Sequence, residues 1–496
     1  MKDDNLSSAI ANQTSTETNP SSNNETSISY FRCRRKGIEK RPHRISVVEK
    51  ARTVFQSHLG RGRWKTAQVA AAILIGLSGM AMAQTARLDS TFASGGIFLT
   101  HDTQAFDAVA DAVALQSDGK IVVGGEISSL AGVLRLDTNG TLDSNFGTGG
   151  MVTINVPSGL GGGVQVVGVA IQIDGKIIAG ISTINSGGPK SFSLARLNPN
   201  GSLDNSFGSA GLVTTSLFGQ QRSPTVIALQ PDGRILLAGD GVMARYESNG
   251  QLDSGFGSSG FALLTAFSVR AIALQANGQI LVGSGGPARD TFPPSTQTSS
   301  VAGVIARYNP NGSLDNSFGG IGQVASVVPV SAIAVQSDGR IIAAGGITSK
   351  LVAPPAGNDT GFGLVRYNPN GSIDLTFGRR GVVITDFGQS GPLAEAFALA
   401  LQPNGDIVAA GVAGQKPVGF QSAPSSFGLA RYTSIGLLDT SFGSVGRVTT
   451  SFGTNTASIS ALVLQSDGKI VVAGNSGASS QQSFVNNIVV ARYLAN

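Results

Sequence analysis

From residue 88 onward, short apolar runs alternate with turn-forming dipeptides in a recurring order. Within one stretch, an apolar run over 167–172 leads into Asp174-Gly175 and a second over 176–181 follows. A third over 192–197 ends at Asn198-Pro199-Asn200-Gly201, and a fourth covers 211–215. Runs this short, rich in Ile, Val, Leu and Ala and bounded by Gly and Asn, predict four β-strands. Asp-Gly and Asn-Gly supply the positive φ that a tight hairpin turn needs. Apolar and polar residues do not alternate strictly inside the runs, so both faces of each strand are expected to be covered.

Three motifs carry the recurrence. The first, ALQxDGxI or a near variant, contains Gln116, Gln172, Gln230, Gln275, Gln336, Gln402 and Gln465, each three residues ahead of a Gly. The second, ARY or a near variant, supplies Arg135, Arg196, Arg245, Arg307, Arg366, Arg431 and Arg492. The third, LDxxFGxxG, supplies Asp89, Asp143, Asp204, Asp253, Asp315, Asp374 and Asp439, each followed three residues later by Phe. Successive Asp are 54, 61, 49, 62, 59 and 65 residues apart. A repeat of about 59 residues with four strands that need cover on both faces is the blade of a β-propeller, in which sheets pack face to face around an axis.

The order of motifs predicts how the ring closes. The first copy starts at the third motif (Arg87-Leu88-Asp89), and the last copy stops just after the second (Ala491-Arg492-Tyr493). Residues 96–100 are therefore expected to form the outer strand of the last blade, paired with 488–493. The fold expected is all-β: a seven-bladed β-propeller of four-stranded blades, closed by this N-terminal strand. The alternative, an open solenoid, would begin and end with polar capping repeats.

The pattern ALQxDGKI followed by ARYNPNGSLDxSFG runs in fixed order through 88–493 and resembles the delta-60 repeat of bacterial exported proteins. The resemblance implies a propeller fold and export from a bacterial cell. It brings no catalytic or ligand residues with it.

Connection lengths separate the two faces of such a disc. The Gln-to-Gly step is always 3 and the Arg-to-Asp step is 8 in the six copies where both occur in order. The Gln-to-Arg distance runs from 15 to 32, and the Asp-to-next-Gln distance from 21 to 29. In four antiparallel strands the first and third connections lie at one end and the second and fourth at the other. The fixed connections therefore share one face and the variable ones the other, where binding is expected because insertions in repeat proteins gather on the binding face. The long inserts 283–302, 345–361 and 411–426 hold the candidate binding residues Arg289, Asp290, Phe292 and Phe420. The alternative is that these inserts are solvated spacers.

Charge is unevenly spread. The net of +5 conceals a leader: 1–31 is rich in Ser, Thr and Asn, and 32–65 is basic. An apolar run, 69–83, then ends in Ala81-Met82-Ala83. A basic segment, a short apolar segment and an A-x-A site make a secretory signal peptide, expected to be cut after Ala83. The domain reading is thus a disordered, basic leader (1–66), a signal-peptide apolar and cleavage region (67–83) and the propeller (84–496). An uncleaved anchor is the alternative. Residues 1–83 hold 13 of the 35 Lys and Arg and 6 of the 30 Asp and Glu, leaving 22 basic and 24 acidic groups. The mature part has no basic excess for a nucleic-acid partner. It has no Cys or Trp and a single histidine, His101.

Catalytic chemistry finds little support. There is no H-E-x-x-H, Walker loop or Cys/His zinc spacing. The spacing of Asn198, Asn200, Gly201 and Asp204 offers oxygen ligands of the kind Ca²⁺ takes but lacks further carboxylates, and reads as a capped turn. No cofactor is expected, with Ca²⁺ the one ion this spacing would admit. The seven Gln are expected to satisfy turn backbone groups, the alternative being a polar ring near the channel. Each Arg is expected to pair with the Asp eight residues on, and the five Tyr that follow Arg (Tyr246, Tyr308, Tyr367, Tyr432, Tyr493) are expected in the core. The function expected is an exported, monomeric binding or surface-interaction module for an unidentified protein or surface ligand. The alternatives are a metal-assisted lyase or hydrolase with a channel site, or a structural surface protein.

Overall fold

The computed structural model describes residues 87–100, 108–156, 163–184, 191–217, 222–265, 268–285, 302–348, 360–388, 392–415, 423–480 and 483–494. The leader, its cleavage site and His101 lie outside them, as do Arg289, Asp290, Phe292 and Phe420. The described chain forms seven four-stranded antiparallel sheets arranged as a seven-bladed β-propeller. Six sheets are continuous in sequence: blade 1 (108–154), blade 2 (163–215), blade 3 (226–263), blade 4 (269–326), blade 5 (332–385) and blade 6 (392–450).

Blade 7 joins the two ends. Its outer strand, Ile97–Leu99, pairs antiparallel with Ser483–Tyr493, with Ile97 opposite Ala491 and Leu99 opposite Val489. The Arg492 N–H donates to the Gly96 carbonyl at 3.0 Å and the Asp89 N–H to the Arg492 carbonyl at 2.8 Å. The pairing expected from motif order is the one observed, and it removes the open edge that an unclosed ring would present.

Burial follows from the near-continuous apolar strands. In blade 2, Ile177, Ala179 and Ile181 enter a core shared with blade 1, while Ile178 enters one shared with blade 3. Successive side chains of a strand point to opposite faces, so one strand supplies two cores. Seven hydrophobic clusters result, one at each junction between neighbouring blades, including that between blades 7 and 1.

The strand that leads into each motif Gln is innermost. Ala108–Leu115 of blade 1 packs on both Gly163–Ile171 of blade 2 and Thr456–Leu464 of blade 7, and the other innermost strands continue this ring around a central channel. Five of them carry an irregularity in register at the same place: between Ala110 and Ala112, Val166 and Gly168, Val269 and Ala271, Ala396 and Ala398, and Ile459 and Ala461. The extra residue at each β-bulge escapes the pairing and is re-aimed.

Candidate functional site

The motif residues build the junctions between blades. Each motif Arg pairs with the Asp eight residues on at 2.7–2.8 Å, and Arg492 pairs with Asp89 at 2.9 Å. Each guanidinium also lies 4.4–4.8 Å from the ring centre of the motif Phe, as Arg135 does over Phe146. The stacked guanidinium then reaches across to the next blade. Arg135 donates to the Pro199 carbonyl, Arg196 to Ser248, Arg245 to Pro310, Arg307 to Pro369, Arg366 to Ser434 and Arg492 to Thr138. A buried cation held by a carboxylate, a ring face and a carbonyl is well satisfied. The Asp carboxyls respond accordingly. Burial alone would raise Asp143, but hydrogen bonds from Lys120, the Asn145 N–H and Arg135 bring it down to about 2.

The remaining motif residues sit in the core and the turns, and the Oε1 atoms of Gln172, Gln230, Gln275, Gln402 and Gln465 are shielded from solvent without a hydrogen-bond partner among the described residues. The five Tyr are buried, and the hydroxyls of Tyr246, Tyr432 and Tyr493 share hydrogen bonds with Thr215, Thr385 and Thr450 of the preceding blade. Asn200 Oδ1 accepts from the Ser202 N–H and hydroxyl at 3.0 and 2.8 Å, a capped turn. The Gln116 and Gln336 side chains accept from Arg135 and Arg366, and Gln116 donates to the Gly175 carbonyl of the next blade.

A different set of residues lines the end of the channel on the face of variable connections. There a cavity of about 790 Å³ is bordered by Asp111, Gln165, Asp240, Arg270, Phe397 and Asn475 together with several serines. None of the seven motif Gln borders it. Asp111, Val167, Arg270, Phe397 and Ser460 are the bulged residues of their strands, and all five line the cavity. Thr225 and Ser331, one residue ahead of the two innermost strands that carry no bulge, take the same place.

The charges are arranged asymmetrically. On one side, Asp111 Oδ2 is shielded from solvent and has no hydrogen-bond partner among the described residues. Burial, and after it the nearby Glu126 carboxylate, pushes the Asp111 carboxyl up to about 7. Elsewhere in the mouth, Arg270 of blade 4 approaches Glu395 of blade 6 at 3.6 Å, and the Ser331 hydroxyl of blade 5 lies between them at 3.5 and 3.4 Å. Burial raises the Glu395 carboxyl, and Arg270 and Ser331 oppose that rise. Asn475 closes the ring here, accepting from the Ala110 N–H at 2.6 Å and donating to the Ala110 carbonyl at 3.3 Å. Asp240 is tied down by the Ser223 N–H at 2.7 Å. Among the described residues, no group of three His, Cys, Asp or Glu side chains is placed to hold a metal ion.

These cavity residues are the ones that motif reading passed over. Asp111, Val167, Thr225, Arg270, Ser331, Phe397 and Ser460 each stand five positions ahead of the motif Gln. That position is the signal: its neighbours repeat in kind while it changes chemistry in almost every blade. The candidates Arg289, Asp290, Phe292 and Phe420, outside the described residues, are not placed by the structure.

A protein-family model agrees with the architecture. The family model described as "Domain of unknown function (DUF5122) beta-propeller" matches residues 116–146, 172–207, 230–256, 295–318, 336–377 and 465–496. No curated protein matches the chain. Among solved structures it is similar to the extracellular domain of a hybrid two-component system from B. thetaiotaomicron, with 15% identity, a TM-score of 0.40 and coverage of 80% of this chain but only 41% of that one. It is similar also to virginiamycin B lyase from Staphylococcus aureus, with 11% identity, a TM-score of 0.42 and coverage of 80% and 99%. A structure of YCF48 bound to D1 peptide gives 10% identity, a TM-score of 0.42 and coverage of 82% and 99%. Four of the six matched segments run from a motif Gln to a motif Phe, across the motifs that build the blade junctions, and the chain is a β-propeller repeat protein.

Proposed function

We propose that the chain is an exported binding module of delta-60 type whose ligand seats in the channel mouth on the face of variable connections. The observation that supports this is the position five residues ahead of each motif Gln, bulged in five blades, where a repeat protein has replaced repetition with Asp, Val, Thr, Arg, Ser, Phe and Ser around one cavity. Bulges re-aim side chains near functional sites, and a concave cavity with a few convergent polar groups is the usual form of a small-ligand site. The mixed lining suits a polar ligand: a cationic or amide N–H group toward Asp111, an acceptor toward Arg270, and an apolar portion against Phe397. Export is supported by the basic and apolar leader with its A-x-A site.

The test is a thermal-shift and native mass spectrometry screen of polar small molecules and short peptides against the propeller and an Arg270→Ala/Phe397→Ala variant. The expected result is a ligand retained by the first and lost by the second. Ligands held equally by both would overturn the assignment. A second reading, acid–base catalysis, is favoured by the raised Asp111 carboxyl. Turnover of a bound compound that Asp111→Asn abolishes without weakening binding would select it.

A further inference from the structure

Seven copies of one motif provide an internal reference for what the fold itself requires, and the face of fixed connections departs from it at single positions, as at the exposed Ile173 and Ile321, and in a cluster in blades 5 and 6. In blade 6 the turn after Tyr432 carries Ile435 and Leu437, where blades 1 to 5 carry Asn (139, 200, 249, 311, 370) and Thr, Ser or Gln (141, 202, 251, 313, 372). Leu375 of blade 5 stands where the other copies have Ser, Asn or Thr. The FGxxG segment reads Arg379-Arg380 in blade 5 and Ser444-Val445 in blade 6, and no other copy has a charged residue in those two positions. Leu375, Ile435, Leu437 and Val445 are 69%, 52%, 57% and 54% exposed. Arg379 and Arg380 are exposed too, and neither has a carboxylate partner among the described residues.

These departures are not made for the fold. Ile435 gives up the cap that Asn200 provides in blade 2, and Val445 is a β-branched residue at φ +52°, where L side chains are strained. The two turns are also held together. The Gly378 N–H donates to the Ile435 carbonyl at 2.9 Å, and Arg366 donates to the Ser434 carbonyl, so Arg379 directly follows a residue bonded to the apolar turn.

We infer that Leu375, Ile435, Leu437 and Val445, with Arg379 and Arg380 beside them, form a docking patch for an anionic lipid surface. Aliphatic side chains on turns flanked by unpaired arginines match the interfacial pattern of apolar insertion plus headgroup attraction. Four partly exposed aliphatic side chains offer less than the roughly 800 Å² per partner of a stable protein interface. It also lacks the Trp and Tyr that usually anchor such interfaces. The patch lies on the face opposite the channel mouth, which would point the proposed ligand site away from the membrane.

The test is vesicle flotation of residues 81–496, a unit whose ring closes on its own strands and whose cores lie within it. Vesicles of phosphatidylcholine alone are compared with vesicles containing phosphatidylglycerol. The variants restore residues already used in blade 2, so they suit the fold: Arg379→Ser/Arg380→Ala, and Leu375→Asn/Ile435→Asn/Leu437→Ser. Flotation only with phosphatidylglycerol is expected, weakened about 30-fold by the arginine exchange and at least as far by the apolar exchange. No flotation with anionic vesicles, or equal flotation of the variants, would overturn the assignment. So would self-association, measured by sedimentation, that the apolar exchange abolishes, since the patch would then serve a second copy of the chain.

Discussion

Replacing Asp89 with Ala tests ring closure through one buried ion pair. Asp89 Oδ2 accepts from Arg492 Nε at 2.9 Å, while Oδ1 accepts from the Thr91 N–H and hydroxyl at 3.0 and 2.6 Å. The side chains of the pair are only 5% and 7% exposed. Removing one partner of a buried pair costs about 3–5 kcal/mol because a charge is left behind. Arg492 would keep its bond to the Thr138 carbonyl and its place 4.6 Å from the centre of the Phe92 ring. The loss should therefore sit near the lower end, about 3 kcal/mol. The repeat supplies the control, since Asp253 makes the same pair with Arg245 at 2.7 Å inside the chain. In a closed ring the two Ala variants lose similar stability in guanidinium unfolding of residues 81–496. In an open array the terminal pair belongs to a fraying end. A loss below about 1 kcal/mol for Asp89→Ala, the value of a surface pair, beside a full loss for Asp253→Ala, would refute the latch.

Three further outcomes are expected. Asp111→Asn should stabilise the protein by roughly 2–4 kcal/mol above pH 7 and leave it unchanged near pH 4. A carboxyl whose folded pKa is raised to about 7 loses its stabilising contribution as pH rises through that value; unfolding midpoints at the two pH values check it. The seven motif Asp act with the opposite sign, because hydrogen bonds and cations outweigh burial and lower each of them. Their contribution is complete above the ordinary Asp value near 3.9 and is lost as pH falls through the folded values, so acid titration followed by circular dichroism should show cooperative unfolding beginning below about pH 4. Gly250→Ala should cost roughly 2–4 kcal/mol, since φ is +90° and the new Cβ would lie 2.8 Å from the Phe207 ring of the preceding blade. Gly95→Ala, at φ +62° with no atom of the described residues within 4 Å of the new Cβ, should cost only about 1–2 kcal/mol.

The blades were legible because the information is local and repeated. An Asp-Gly turn, an eight-residue Arg-to-Asp step and, in five copies, a Tyr after the Arg are read within one copy, and they predict the hairpins, ion pairs and buried rings that are found. Closure was legible from motif order alone. What did not show was contact between copies: nothing in a single repeat says that Arg135 reaches Pro199, 64 residues away. The bulge was missed for a related reason. A strand over 167–172 was expected in blade 2, whereas Gly163–Ile171 is observed. The extra residue at Val167 breaks the alternation there and hides the start of the strand. Asp111, Arg270 and Phe397 share that position, so the residues that set the channel mouth apart are the ones that a search for sameness discards.

The most direct measurement of a channel-mouth site is hydrogen exchange on the propeller with and without the ligand that the screen identifies. Protection is expected in the first halves of the innermost strands, around residues 108–111, 165–168, 268–271 and 394–397, with none at the Asp-Gly turns. Protection confined to those turns at 118–119, 174–175 and 232–233, or spread evenly over the ring, would contradict a binding site at the mouth of the channel.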